Sequence, residues 1–447
     1  MANSYVVKFG GSSLAEAKQF RKVKDIINGD ERRKYVVPSA PGKRSDSDTK
    51  VTDMLYSCYE ATCNGQDPKI EFKPIAERFD GIIADLGLEL SLTKEYKEII
   101  ANFRKRAGSD YAASRGEYLN GIILAEYLGF SFVDAAKAIH FDRNGQFDSD
   151  FTNASLASIL GRKENAVIPG FYGAMPNGTI KTFSRGGSDF TGSIVAKAVK
   201  AELYENWTDV SGFMVADPRI VENSPVIKLI TYRELRELSY MGASVLHEDS
   251  IFPVRAAGIP INIRNTNDPS APGTMIVRTA PKDDNPPIIT GIAGKKDFSV
   301  IHMEKDEMNN EIGFLRRVLT LFETMQINFE HVPTGIDTLN IVLNTSELKK
   351  DPDITDHIRQ AVQPSNIVVS EGGLAMIAVV GRGMVSRHGT ASRIFTALAE
   401  ADINVRIIDQ GSCEYNVIVG VDEIHFEKAI KAIYNKLTST KSRTTGM

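Results

Sequence analysis

Along residues 1–277, short apolar runs that end in turn-forming residues alternate with stretches whose apolar positions return every three or four residues. Tyr5, Val6 and Val7 favour a strand. "YVVPSAPG" (35–42), "FSFVDA" (130–135), "NAVIPGFYG" (165–173) and "INIRN" (261–265) read as short buried strands closed by turns. Leu14, Ala17, Phe20, Val23 and Ile27 recur at helical spacing. Ser13 followed by Glu16 reads as a capping box, which places the helix start near Leu14. Residues 116–128 and 193–201 also read as helices. The alternation predicts an α/β fold, a mostly parallel sheet sandwiched by helices. "RTAPKDDNPP" (278–287) has the proline and charge of an exposed linker.

Beyond that linker the chain repeats itself. "IGFLRRVLTLFETMQINFEHV" (312–332) aligns without gaps on "HGTASRIFTALAEADINVRII" (388–408), so that Gly313 matches Gly389 and Asn328 matches Asn404 at an offset of 76. The offset persists to Asn340 and Asn416 and brings "FSVIHM" (298–303) near "LAMIAVV" (374–380). Each copy reads strand, glycine turn, helix, strand, strand, an internal duplication of a small α/β unit. Repetition alone leaves sensing and structural dimerisation both open. "IITGIAG" (288–294) fits as an extra strand of either copy.

Two glycine pairs carry candidate chemistry. "VVKFGGSS" places Lys8, Gly10 and Gly11 between a strand and a helix N-terminus, where free backbone N–H groups and the helix dipole favour an anion. Glycine has no Cβ, so a phosphate can come close to the backbone. The segment alone equally fits a tight turn with Lys8 in solvent, and it is no Walker loop, because the lysine precedes the glycines. "KTFSRGGSDFTGS" (181–193) repeats the arrangement with Arg185 before and Asp189 after the glycines. A guanidinium pairs bidentately with a carboxylate, so this loop suits a second anion. "WTDVSGFMVADPRIV" (207–221) is dense in turn-formers and polar groups, and taken singly it reads as a solvated turn.

Composition narrows the function classes. The 447 residues allow two or more domains, and a charged content of 25 % with a net charge of −4 points to neither nucleic acid nor a membrane surface. No apolar run is long enough to span a bilayer, and "MANSYVVKFG" lacks a signal-peptide core. Cys58, Cys63 and Cys413 have no metal spacing and suggest a reducing cytoplasm; the seven histidines form no zinc pattern.

"VVKFGGSS", "RGGSDFTG", "WTDVSGF…ADPR" and "MGASVLHE", in that order and followed by the two repeats, resemble the aspartate kinases of the amino-acid-kinase superfamily, with the repeats similar to ACT domains. The resemblance implies a catalytic domain over 1–285 and ACT units of ferredoxin-like βαββαβ type over 286–370 and 371–447. It implies transfer of phosphate from ATP to the side-chain carboxylate of L-aspartate, the entry to lysine, threonine and methionine biosynthesis. Lys8 would neutralise the phosphates, with Gly10, Gly11 and Ser12 lining the loop and Asp189 orienting Lys8 or organising Mg2+. Arg185 would clamp the aspartate α-carboxylate and Glu117 its ammonium, with Ser39, Thr52 and Ser188 adding hydroxyls. Thr208, Asp209, Asp217 and Arg219 would surround the nucleotide. Two departures stand out: Ser244 and Glu248 replace a lysine and a proline common in relatives, and Met214 replaces a common aromatic residue.

By the same resemblance, Met308, Gly313, Phe314, Leu315, Glu330 and Thr334 would line an effector site, with Glu330 pairing the ammonium of lysine. ACT units imply a homodimer or homotetramer. The chain ends soon after the second repeat, so the form fused to homoserine dehydrogenase is not expected. The readings weighed against this one are a kinase for another carboxylate or carbamate and an amino-acid sensor with a weak kinase domain.

Overall fold

The computed structural model describes residues 4–438 apart from 185, 244, 245, 247, 284, 285 and 386, with the side chains of Glu248 and Asp249 also outside the description. The chain divides into two compact units. The first comprises Met1–Phe213, Val226–Leu235 and Ser244–Pro281; the second comprises Met214–Pro225, Arg236–Ala243 and Lys282–Met447.

The first unit is built on an eight-stranded sheet. Its strands are β1 (Tyr5–Phe9), β2 (Arg33–Pro38), β3 (Ser131–Phe132), β4 (Ala166–Val167), β7 (Leu203–Thr208), β8 (Leu229–Thr231), β9 (Ile261–Asn265) and β10 (Thr274–Val277). A separate hairpin pairs β5 (Tyr172–Ala174) with β6 (Ile180–Thr182). The order is β3-β4-β2-β1-β7-β9-β10-β8, parallel from β3 to β9, with β10 antiparallel to β9. β1 lies between β2 and β7, so the connection order reverses around it. The carboxyl end of β1 is therefore the crevice position of an open α/β sheet.

Several expected boundaries shift for physical reasons. The strand expected over 35–42 stops at Pro38, after which the chain turns so that the Gly42 N–H donates to the Gly11 carbonyl at 2.8 Å. The stretch 130–135 shortens to Ser131–Phe132, because Asp134 caps a tight turn by accepting from the Ala136 N–H. The stretch 165–173 splits into β4 and β5. The capping box is not formed. Gly11–Leu14 is a tight turn of its own, and the helix runs Ala17–Asn28 with no side-chain cap at Glu16. Ser13 is taken elsewhere, its hydroxyl lying 2.7 Å from that of Thr266.

The helix read over 116–128 begins at Ser109, and the one read over 193–201 spans Gly187–Val199. Both are buried on most faces, Ala112, Ala113, Leu119 and Ile123 among them, which hides an amphipathic start. Phe20, Val23 and Ile27 pack with Val7, Phe9 and Leu124 in the core beneath the sheet.

The second unit holds a five-stranded antiparallel sheet of β11 (Gly291–Glu304), β12 (Thr338–Asn344), β13 (Asn366–Val380), β14 (Val405–Asp409) and β15 (Asn416–Asp422) in the order β12-β11-β13-β15-β14. The repeat keeps its offset in space. The helices Phe314–Thr324 and Thr390–Glu400 begin 76 residues apart, each after a glycine, Gly313 or Gly389, at φ 81°. Each copy has its own core, one around Val318, Phe322, Ile341 and Ile358 and one around Ile394, Leu398, Val419 and Ile433. Within "IITGIAG", residues 291–294 extend β11 and pair with 377–380 of β13, in the second copy.

Candidate active site

The carboxyl end of β1 carries the first cluster. Lys8 is a register partner of Asn206 on β7 and is 7 % exposed. Its Nζ lies 2.6 Å from Asp189 Oδ1 and donates to Asn206 Oδ1 at 3.4 Å. Asn206 Nδ2 donates in turn to Asp189 Oδ1 at 2.8 Å. Asp189 stands in the first turn of the helix Gly187–Val199, whose approach to β7 is close: the Tyr204 hydroxyl donates to the Asp189 carbonyl at 3.1 Å, and a Cβ on Gly192 would meet that hydroxyl at 2.5 Å. The turn reading with Lys8 in solvent therefore does not hold. Asn206 is the member that sequence reasoning missed; its one local signal is an amide within a buried strand segment, beside Glu205.

The glycines of the first loop have different reasons. A Cβ on Gly11 would meet the Ala40 carbonyl at 2.9 Å, so two backbone segments demand glycine there. Gly10 has φ −69°, and a Cβ would meet nothing closer than the Trp207 carbonyl at 3.6 Å and Lys8 Nζ at 3.8 Å. No protein contact excludes a side chain at Gly10, which leaves room for a ligand beside Lys8. Ser12, half-buried, follows in the same turn.

The polar stretch 43–50 is folded by ion pairs. Asp48 takes Arg44 and Arg78, each at 2.8 Å, and the Arg44 hydrogen bond, reinforced by Arg78, holds its carboxyl far below the usual carboxylate range. Arg78 Nη2 donates to the Gly42 carbonyl at 2.7 Å and to the Ala15 carbonyl at 3.1 Å, fastening both sides of the glycine loop. Thr52, half-buried, falls in the first turn of the helix Val51–Cys63.

Glu117 lies mid-way along the helix Ser109–Leu128 and is 5 % exposed. Burial pushes its carboxyl up to about 8, against smaller opposing contributions from the Ala40 and Glu117 backbone amides and from Arg115. Its Oε2 is buried without a hydrogen-bond partner. The helix can come this near the 39–42 turn because Gly116 has no side chain; a Cβ there would meet that of Ala40 at 2.8 Å. Ser39 is half-buried, and its N–H donates to the Phe9 carbonyl at 3.1 Å. Ser188 is buried against Gly170, where a Cβ would stand 2.6 Å from its hydroxyl. Arg185 lies outside the described residues, as does Ser244.

The remaining expected residues are dispersed. Thr208 ends β7 and its hydroxyl donates to Asp209 Oδ1 at 3.1 Å, with Asp209 exposed. Asp217 and Arg219 belong to the second unit and pair with one another at 2.6 Å, which lowers the Asp217 carboxyl. Also in that unit, Met308 and Phe314 are buried in the first repeat's core, while Leu315 and Thr334 are exposed. Glu330 is half-buried and hydrogen-bonds the Tyr240 hydroxyl, helping burial to raise that phenol to about 12. Among the described residues, no group of three or more His, Cys, Asp or Glu could hold a metal ion.

Comparison with known proteins shows the family. Residues 3–265 match the amino acid kinase family and residues 377–437 match an ACT domain. The chain is 38 % identical to Aspartokinase 3 of Bacillus subtilis, over 96 % of this chain and 98 % of that one. The crystal structure of Clostridium acetobutylicum aspartate kinase, described as an allosteric enzyme, superposes with a TM-score of 0.89 at 50 % identity, covering 97 % of this chain and all of that one. E. coli aspartokinase III in complex with aspartate and ADP shares the fold, with a TM-score of 0.74 at 23 % identity over 98 % and 100 % of the two chains.

Proposed function

The chain belongs to the amino acid kinase family and is an aspartate kinase, and we propose how its residues move a phosphoryl group from ATP to the side-chain carboxylate of L-aspartate. The acceptor has an ordinary pKa of ~3.9 and is already ionised near neutrality, so no general base is needed. What opposes transfer is repulsion between that carboxylate and the triphosphate, and positioning with positive charge overcomes it.

Lys8 is the charge that follows the leaving phosphate. Asp189 and Asn206 fix its ammonium at the sheet crevice. Gly10 gives the phosphates room, its own N–H being held by the Trp207 carbonyl at 3.0 Å, while Gly11 and Ser12 offer the backbone N–H groups, and Thr208 and Asp209 flank the nucleotide. Glu117 takes the aspartate ammonium, Arg185 the α-carboxylate, and Ser39, Thr52 and Ser188 supply hydroxyls. Mg2+ would neutralise the phosphates, and Asp189, whose Oδ1 meets Lys8 and Asn206, is the carboxylate that would hold it.

The two ACT repeats serve regulation. Lysine is the effector of this reading, held by Met308, Gly313, Phe314, Leu315, Glu330 and Thr334 in a homo-oligomer, with Glu330 taking an ammonium group. The cytoplasm is the compartment of this reading, in keeping with three free cysteines, of which Cys58 is buried. No described helix is long and apolar enough to cross a membrane.

The observation that carries the mechanism is the pairing of buried Lys8 with half-buried Asp189 beside the uncrowded Gly10. A coupled assay of ADP formation with MgATP and single amino acids tests it. Aspartate alone should support turnover, and lysine should inhibit it; equal turnover with N-acetylglutamate, or none with aspartate, would overturn it.

A further inference from the structure

Glu117 is not the lone unsatisfied acceptor on its helix. Asn120, three residues later and 0 % exposed, also has a buried oxygen, Oδ1, without a hydrogen-bond partner. Residues three apart on a helix share a face. Both side chains engage the same turn: Asn120 Nδ2 donates to the Ser39 carbonyl at 2.7 Å, and the Ala40 backbone amide acts on Glu117. The Ser39 carbonyl can only accept, so the amide nitrogen must face it, and Oδ1 is the free end by chemistry.

Glu117 Oε2 and Asn120 Oδ1, on one face of the helix, are thus buried with no donor among the described residues. Each such atom carries a desolvation penalty that only a donor relieves. An ammonium group has three N–H bonds and suits a carboxylate and an amide oxygen together. We propose that Asn120 Oδ1 is a second acceptor for the α-ammonium of the acceptor substrate, making Glu117 and Asn120 a two-oxygen receptor that selects amino acids over amine-free dicarboxylates. The proposal rests on the assignment of Glu117 to the ammonium. Through Nδ2, Asn120 also ties the receptor to the Ser39 turn, so ammonium recognition and the substrate-side hydroxyl move as one piece.

Succinate, which is aspartate without its amine, separates recognition from structure. In the wild-type enzyme, KM for aspartate and the competitive inhibition constant of succinate are measured together. Asn120→Ala should raise the aspartate KM by roughly 10–100-fold, the loss of one hydrogen bond to a charged group, and shift succinate inhibition by less than about threefold. Asn120→Gln keeps both the amide donor and the amide acceptor and should retain more of the preference for aspartate than Asn120→Ala. Equal losses for both ligands in Asn120→Ala would overturn the receptor and leave Asn120 as a tether. Should the variants fail to fold, a structure of the wild-type enzyme with aspartate decides: the ammonium lies within hydrogen-bond distance of Oδ1, or the proposal is wrong. Failure of the wild type to phosphorylate aspartate would instead remove the parent assignment, a separate result.

Discussion

Lys8 and Asp189 meet at 2.6 Å, joining the end of the first strand to the opening turn of a helix from a remote part of the chain. The pair is largely withdrawn from water, and a charge there acts on phosphate with little screening. Lys8→Ala should therefore lower kcat by ~10²-fold or more while changing the aspartate KM little, the pattern of lost transition-state stabilisation. Steady-state kinetics in both substrates read this directly, and an unchanged kcat would remove Lys8 from the mechanism.

Asn206 touches both members of that pair but is assigned no reacting atom. It is a positioning residue. Asn206→Ala should lower kcat by roughly tenfold through a misplaced Lys8, with the aspartate KM held within about twofold. A fall in aspartate affinity with kcat preserved would place Asn206 on the substrate side instead.

Gly10 and Gly11 should answer the same substitution differently. Gly10→Ala has space within the protein, so the melting temperature stays near wild type while the KM for MgATP rises at least about tenfold, because a methyl group stands where phosphate approaches. Gly11→Ala drives a Cβ against the Ala40 carbonyl and lowers the melting temperature itself. Calorimetry and kinetics on the two variants separate these effects.

Glu117 makes substrate binding pH-dependent. With its carboxyl near 8 in the empty site, it is mostly neutral at pH 7 and must release a proton to pair with an ammonium. The aspartate KM should fall as pH rises from 6 to 8, and calorimetry in buffers of different ionisation enthalpy should show proton release on binding at pH 7. Glu117→Gln should abolish both. The same raised value has a stability consequence: the fold holds the proton that the unfolded chain releases, so stability falls as pH rises from about 4.5 to about 8 and levels off above that. Glu117→Gln should gain melting temperature relative to wild type at pH 9 more than at pH 6.

Arg78 fastens the glycine loop through two carbonyls and Asp48. Arg78→Met keeps the apolar stem but removes the donor from both carbonyls and leaves Asp48 to Arg44 alone, a cost of about 2–4 kcal/mol in unfolding free energy by denaturant titration. The KM for MgATP should rise with it.

The legible parts of the site are those whose signals are local. Lys8, Gly10 and Asp189 announce themselves through a strand, a glycine pair and a helix that are neighbours in sequence. Asn206 does not, because its role comes from the register between β1 and β7. Asn120 reads as one polar residue among several on its helix until the Ser39 turn is seen against it. Ser13 misleads for the same reason, its hydroxyl being claimed by Thr266 across the fold. Burial on many faces hid the first two turns of the helix Ser109–Leu128, since periodicity reports a boundary between core and water that this helix lacks. The repeat was plain at the sequence level, but not that one continuous strand from each copy would be shared.

That sharing sets what the duplication can do. β11 and β13 lie side by side over residues 291–304 and 366–380, so each copy lends backbone to its sibling's ladder. A one-residue slip in either would turn its side chains to the opposite face along its whole length. The pair is thus a single plank instead of two hinged plates. Excising one copy would strip the other of the rungs that join residues 291–298 to 374–380, and a molecule bound at one end pulls on a beam that reaches the far one.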